Sequence, residues 1–415
     1  MLALLLVVSP GWCYPQDGAD WAAAVQQAIR QKRLLEPPGS NAWENYERLR
    51  QSGAPAAQLK AMRQMLAAAL KEAGDEILRA YMEGTEPRAS GPLDLMDVRL
   101  APAEFERAAR FYERASELQP DQGALRARAR FSRGRGLLSR GQVQEALPLL
   151  REAVALDPSA AYAQNSLGVA YLAQRRPQEA LAYFQAAIER APNWVYAHHN
   201  LALTYFALRR FDEAERAWVR ASLLGPRVAF VHVNLGVLYL QMGRRRDAER
   251  QLRHALELDP NGPITNHNLG VLYEMDRRPG EAEARYRKAI QADPRNPAPR
   301  LNLAHLYRRA GRARDAEREL RAALGVDSAD AAAHEALANL LLEAGRDSEA
   351  EAELRAVLAA NPGSVGALAA LGDLCARRRN FVDALEYYRQ ALQRAQEPRL
   401  RSELQHKISA LALAH

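Results

Sequence analysis

Residues 161–194 read AYAQNSLGVAYLAQRRPQEALAYFQAAIERAPNW, and residues 195–228 read VYAHHNLALTYFALRRFDEAERAWVRASLLGPRV. The second stretch follows the first without a gap, and both obey one plan of 34 positions. A small residue stands at position eight (Gly168, Ala202) and tyrosine at eleven (Tyr171, Tyr205). Alanine stands at twenty (Ala180, Ala214), a large ring at twenty-four (Phe184, Trp218) and proline at thirty-two (Pro192, Pro226). Apolar residues recur at three- and four-residue spacing in each half, which predicts two helices per unit. Proline has no N–H to continue a helix, so it closes the second.

The same plan starts eight times, at Ala127, Ala161, Val195, Ala229, Pro263, Pro297, Ala331 and Val365, with no insertion or deletion. Position twenty is alanine in every copy, from Ala146 to Ala384, and position eight is always glycine or alanine. Position twenty-four stays bulky, as Leu150, Leu252, Tyr286, Leu320, Leu354 and Tyr388 continue the column. Small beside large at helical spacing is what two closely packed helices require. Toward the ends, Leu137, Leu341 and Cys375 replace the tyrosine of position eleven, and Ser328 and Gln396 replace the proline. The turn within each unit carries Gly141, Gly243, Gly311 or Gly345, or an arginine pair such as Arg175-Arg176.

These columns resemble the tetratricopeptide repeat, over about two thirds of the chain. The resemblance implies an all-α fold, a right-handed superhelical α-solenoid of helix hairpins whose first helices line a concave groove. Each unit would bury surface only against its neighbours, so the array presents a long surface rather than enclosing a reaction centre. No nucleophile elbow, phosphate loop, paired carboxylates or zinc-protease motif appears, so no enzyme activity, cofactor or metal is expected.

Outside the eight repeats (127–398), four further segments are expected. Leu2 to Val8 is an uninterrupted apolar run ended by Ser9-Pro10-Gly11, which reads as a secretory leader over residues 1–15. The run is too short for a membrane span, which needs about 20 apolar residues. It also lacks a preceding Lys or Arg, so a misassigned start or a disordered apolar tip is the competing reading. If the leader operates, the protein is exported to a bacterial periplasm or cell envelope; otherwise it is cytoplasmic. Residues 16–88 form a helical N-terminal region. There, Trp21, Val25 and Ile29 share a face, Asn41 with Glu44 marks a helix start, Leu59 to Leu70 forms a third helix and Ile77 to Tyr81 a fourth. Gly84 to Pro92 is a linker by composition. Ala108, Tyr112, Ala115 and Pro120 copy the second-helix pattern, placing a divergent repeat at 89–126. Leu400, Leu404, Ile408 and Leu411 predict an amphipathic capping helix over 399–415.

The 57 basic and 50 acidic residues give a net charge of +7, with lysine only at Lys32, Lys60, Lys71, Lys288 and Lys407. The arginine excess fits a GC-rich coding bias better than nucleic-acid recognition. The arginine-rich turns could bind phosphate, but Asp212, Glu213, Asp247 and Glu281 follow closely, and a solvated edge of local ion pairs is the preferred reading. Two cysteines, Cys13 and Cys375, exclude a disulfide framework.

One column belongs to neither packing class. Position six reads Ser132, Ser166, Asn200, Asn234, Asn268, Asn302, Ala336, Ala370. A side-chain amide offers donor and acceptor, so a row of them suits the main chain of an extended polypeptide. The four asparagines resemble the ladder in the tetratricopeptide arm of O-linked N-acetylglucosamine transferase, which implies that they hold a partner's backbone. The resemblance stops at that arm, and no catalytic domain is expected. Position two adds Tyr162, Tyr196 and Phe230 as groove aromatics, while His199 and His267 line the groove beside the amides. Two other readings stay open: the amides bond within the helices, and the aromatics fill gaps between units. The expected function is a non-catalytic adaptor binding an extended segment of a protein partner. A recruiting subunit for a separately encoded glycosyl or cell-envelope enzyme is the alternative, and an RNA-binding array the third. The sequence leaves the oligomeric state open.

Overall fold

The computed structural model describes residues 21–83 and 101–413; the expected leader and the Gly84–Pro92 linker lie outside them. Among the described residues all regular structure is α-helical, and the chain divides into two compact units, one ending at Val231 and one starting at His232. In the first unit, α1 (Trp21–Arg30), α2 (Ala42–Gln51), α3 (Ala56–Glu83) and α4 (Pro102–Leu118) precede the strict repeats. There follow the hairpins α5–α6 (Gly123–Ser139, Val143–Leu156), α7–α8 (Ala161–Ala173, Pro177–Arg190) and α9–α10 (Val195–Ala207, Phe211–Leu224). The division falls within α11 (Ala229–Gln241), whose hairpin partner is α12 (Arg245–Leu258). The second unit continues with α13–α14 (Pro263–Met275, Pro279–Ala292) and α15–α16 (Ala298–Arg309, Ala313–Val326). It ends with α17–α18 (Ala331–Glu343, Asp347–Ala360), α19–α20 (Val365–Arg377, Phe381–Arg394) and α21 (Pro398–Leu413).

The small and bulky columns meet without clearance. A Cβ placed on Gly168 would lie 2.8 Å from the Phe184 ring, and one on Gly270 would lie 2.5 Å from Tyr286. Every alanine of position twenty is fully buried beside these contacts. The turn has its own constraint. Position fifteen is left-handed in all eight repeats, with φ between 57° and 78°, at Gly141, Arg175, Arg209, Gly243, Arg277, Gly311, Gly345 and Arg379. The next residue donates its N–H back to the carbonyl of position eleven, as Arg176 does to Tyr171 and Arg278 to Tyr273. That bond closes the first helix and aims the chain into the second.

Before the strict array the structure departs from the pattern in two ways. The expected third and fourth helices are one continuous helix, α3. Only Gly74 interrupts its apolar rows, and one interior glycine costs about 1 kcal/mol, too little to break a packed helix. Gly74 also has a packing role, since a Cβ there would lie 2.6 Å from Tyr112. It is thus the position-eight residue of a hairpin whose position-twenty-four residue is Tyr112. The C-terminal half of α3 thus pairs with α4 as a hairpin whose first helix lies ahead of residue 89. In the N-terminal helices, Asn41 accepts the Glu44 N–H at 2.9 Å and Glu44 accepts the Gly39 N–H at 2.5 Å, holding the start of α2. At the far end, α21 lays Leu404, with Leu400, Ile408 and Leu411, against Leu368, Ala384 and Tyr388.

Two substitutions test these constraints by chemical unfolding. Gly270→Ala forces a methyl into the Tyr286 ring and lowers stability by about 1–3 kcal/mol. Arg277→Gly relieves a left-handed residue and raises stability by about 1 kcal/mol.

Candidate functional site

The helical geometry puts positions two, five and six of each first helix on one face, because residues three and four apart are neighbours there. In the first unit this face is closed by contacts between consecutive hairpins. The Tyr162 ring meets Phe131 of the preceding hairpin edge-on at 4.6 Å. Phe230 stacks on Tyr196 at 5.9 Å and meets His199 edge-on at 4.8 Å. Tyr196 and Phe230 are buried and Tyr162 nearly so, and burial pushes the Tyr196 hydroxyl up to about 12. His199 is fully buried and accepts the indole N–H of Trp218 at Nδ1, 3.0 Å away.

The amides behave in the same way. Asn200 Nδ2 donates to Asn165 Oδ1 at 3.0 Å, with both side chains buried. In the second unit, Asn302 Nδ2 lies 3.0 Å from His267 Nε2. Both bonds join position six of one hairpin to position five of the hairpin before it, 35 residues earlier. Asn234 is buried, and Asn268 and Asn302 are half-buried. Asn268 differs from its bonded neighbours. The residue one hairpin back at position five is Val233, which cannot accept, and the Asn268 Nδ2 is buried without an acceptor among the described residues. Asn165, and the bonding role of position five, escaped the sequence reading. The signal was present as polar Asn165 and His267 placed 35 residues before an asparagine.

The other histidines fall into the hairpins themselves. His232 Nδ1 bonds Gln251 at 2.8 Å, His334 Nδ1 bonds Glu353 at 2.5 Å, and His198 Nε2 bonds the Pro192 carbonyl at 2.8 Å. Among the described residues no three His, Cys, Asp or Glu side chains gather where they could hold a metal ion. Burial lowers His198, His267 and His305 below the ordinary histidine value, so His267 stays neutral and accepts the Asn302 N–H.

At the turns, the arginine of position sixteen lies over the position-eleven tyrosine. Arg176, Arg210, Arg244, Arg278 and Arg312 stand 4.1–4.9 Å from the ring centroids. Each also pairs with an acid three residues on, from Arg210–Glu213 at 2.6 Å to Arg244–Asp247 at 2.9 Å. In the second unit a further acid comes from the preceding hairpin, as in Arg278–Glu249, Arg312–Glu283 and Arg346–Glu317. These charges are matched locally.

With this geometry in place, the comparisons fix the class. The tetratricopeptide repeat family matches residues 131–193, 195–261, 233–297, 275–340, 307–371 and 348–398. These ranges cover well over half of the chain, which belongs to the tetratricopeptide repeat family. No curated protein matches it. Among solved structures, the Cut9–Hcn1 APC/C hetero-tetramer is similar at 18% identity and a TM-score of 0.50, over 86% of this chain and 63% of that one. The chain thus spans less than two thirds of that relative's length. Yeast Tom70 is similar at 17% identity and a TM-score of 0.49, over 93% of this chain and 85% of that one. The Pseudomonas aeruginosa pilF structure gives 23% identity and a TM-score of 0.46, over 53% and 99%. At 18% identity the first of these likenesses shows the fold, an all-α repeat solenoid, and no more.

Two expectations follow. Asn200→Ala strands the buried Asn165 carbonyl and lowers stability by about 1–3 kcal/mol, read from the denaturant midpoint. The unfolded chain binds protons at His198, His267 and His305 before the folded one does, so stability present above the ordinary histidine value near 6.5 is lost as pH falls below it. The unfolding midpoint should therefore drop between about pH 7.5 and about pH 5.5, and His267→Gln should make that drop smaller. An identical drop in the variant would contradict the assignment.

Proposed function

We propose that this chain is a non-catalytic adaptor that holds an extended segment of a protein partner along its first-helix face. The tetratricopeptide fold supports an interaction scaffold in general. The particular contact is our reading, and Asn268 carries it. Its amide N–H groups have no acceptor among the described residues, while His267 beside it already engages Asn302. A buried donor left unmatched costs free energy until an acceptor arrives, and a peptide carbonyl is an acceptor present at every residue of a partner. The ladder is then shorter than four equal rungs. Asn200 and Asn302 tie hairpins together, and the buried, unmatched Asn268 donor is the rung left for a partner. Asn234, in the same unit, shapes the wall beside this track in the proposal, whereas Tyr162, Tyr196, Phe230 and His199 are taken up by ring contacts within the first unit.

Export to a cell envelope is part of the proposal only if the apolar run Leu2–Val8 acts as a leader. Among the described residues no helix is long and apolar enough to cross a membrane. The locally paired arginines weaken the RNA-binding alternative, because phosphate would have to displace carboxylates at 2.6–2.9 Å.

Binding to an array of overlapping extended peptides tests the reading. Asn268→Ala should weaken the peptides bound by the wild type by about tenfold, the worth of one well-placed hydrogen bond. Unchanged affinities at unchanged stability would remove Asn268 from the binding track.

A further inference from the structure

The first helix of a strict repeat ends about five residues after position eight, as α7 ends at Ala173 after Gly168. The helix α3 has its position-eight residue at Gly74 yet runs on to Glu83, so its last turn is an extension that hairpin packing does not require. That extension carries Tyr81, which is only 3% exposed. Its ring is surrounded by Phe105 at 5.5 Å, Phe131 at 5.8 Å and Trp194 at 6.2 Å, with the Arg135 guanidinium 5.6 Å from its centroid. Its hydroxyl lies 3.1 Å from Ser166 Oγ. Ser166 stands at position six of its repeat, the same column as the asparagines. Tyr81 thus reaches across two successive hairpins and takes up the polar group that the column offers there.

The fit has one mismatch. The Trp194 indole N–H is buried without an acceptor among the described residues. Tyr81 supplies a ring and a hydroxyl to this socket but no carbonyl for that donor, and a buried unmatched donor favours any occupant that brings one. Cationic and edge-on aromatic walls around a hydroxyl-bearing ring select tyrosine over an aliphatic side chain.

We infer that Phe105, Phe131, Arg135, Ser166 and Trp194 form a tyrosine socket beside the first-helix face, filled by Tyr81 and open to a tyrosine-bearing partner segment that displaces it. The inference rests on partner segments lying along this face, as proposed above, but its test needs neither a partner nor Asn268. A tethered occupant competes at an effective concentration on the order of millimolar, so an external segment binds the wild type weakly.

The experiment adds a fluorescein-labelled peptide copying residues 76–83 to the full chain and follows polarisation. Tyr81→Ala should bind it at least about tenfold more tightly than the wild type, because the competitor is gone. Tyr81→Phe should bind it as weakly as the wild type, and a peptide with alanine in place of its tyrosine should bind none of the three proteins. A Tyr81→Ala protein with wild-type helicity that gains no affinity would overturn the socket. If Tyr81→Ala loses helicity, the pair Ala80→Gly and Met82→Gly loosens the last turn of α3 while keeping the ring. That variant should gain about threefold in affinity for the same peptide, and no gain would overturn the inference equally.

Discussion

Wherever position eight is glycine, it lies against the position-twenty-four side chain of the partner helix with little or no room for a methyl group. Gly270 under Tyr286, Gly236 under Leu252 and Gly372 under Tyr388 are the tightest forms. Close approach at that point fixes the axial register of the hairpin. The left-handed residue at position fifteen fixes the turn, and the period of 34 follows because neither can shift without the other. Position six is then presented to position five of the hairpin before it, as Asn200 is to Asn165 and Asn302 to His267.

What the polar groups do depends on that register. Where position five can accept, the asparagine one hairpin on spends its N–H there: Asn200 on Asn165, Asn302 on His267. Where position five is Val233, the Asn268 donor stays unmatched. The same rule operates at the outer edge of the second unit. Glu249, Glu283 and Glu317 meet an arginine from the following hairpin, while the equivalent positions in the first two repeats are Leu147 and Leu181. Cohesion between repeats is thus polar in some places and apolar in others, as expected for a stack held by nearest-neighbour contacts.

The hairpins were legible because their determinants are local. Alanine at twenty, the small residue at eight and the proline at thirty-two each report on contacts within one unit. The amides were legible as a column but not as bonds, since Asn200 and Asn165 lie 35 residues apart and their pairing needs columns five and six read together. The hairpin of α3 and α4 was hidden for another reason. Gly74 and Tyr112 stand 38 residues apart, where Gly168 and Phe184 keep 16, so a search at fixed period passes over them. Tyr81 was legible only as an apolar residue of a helix. Its burial depends on side chains from α4, α5, α7 and the loop before α9, which no sequence period brings together.

The central claim is that neighbouring hairpins consume the amides of Asn200 and Asn302 and leave that of Asn268 unmatched. Side-chain amide NMR of protein labelled with nitrogen-15 at asparagine measures this directly, through solvent exchange of each Nδ2 pair. The account predicts slow exchange for Asn200 and Asn302 and faster exchange for Asn268, whose amide no hydrogen bond holds. Equal protection of all three, or fast exchange at Asn200, would contradict it.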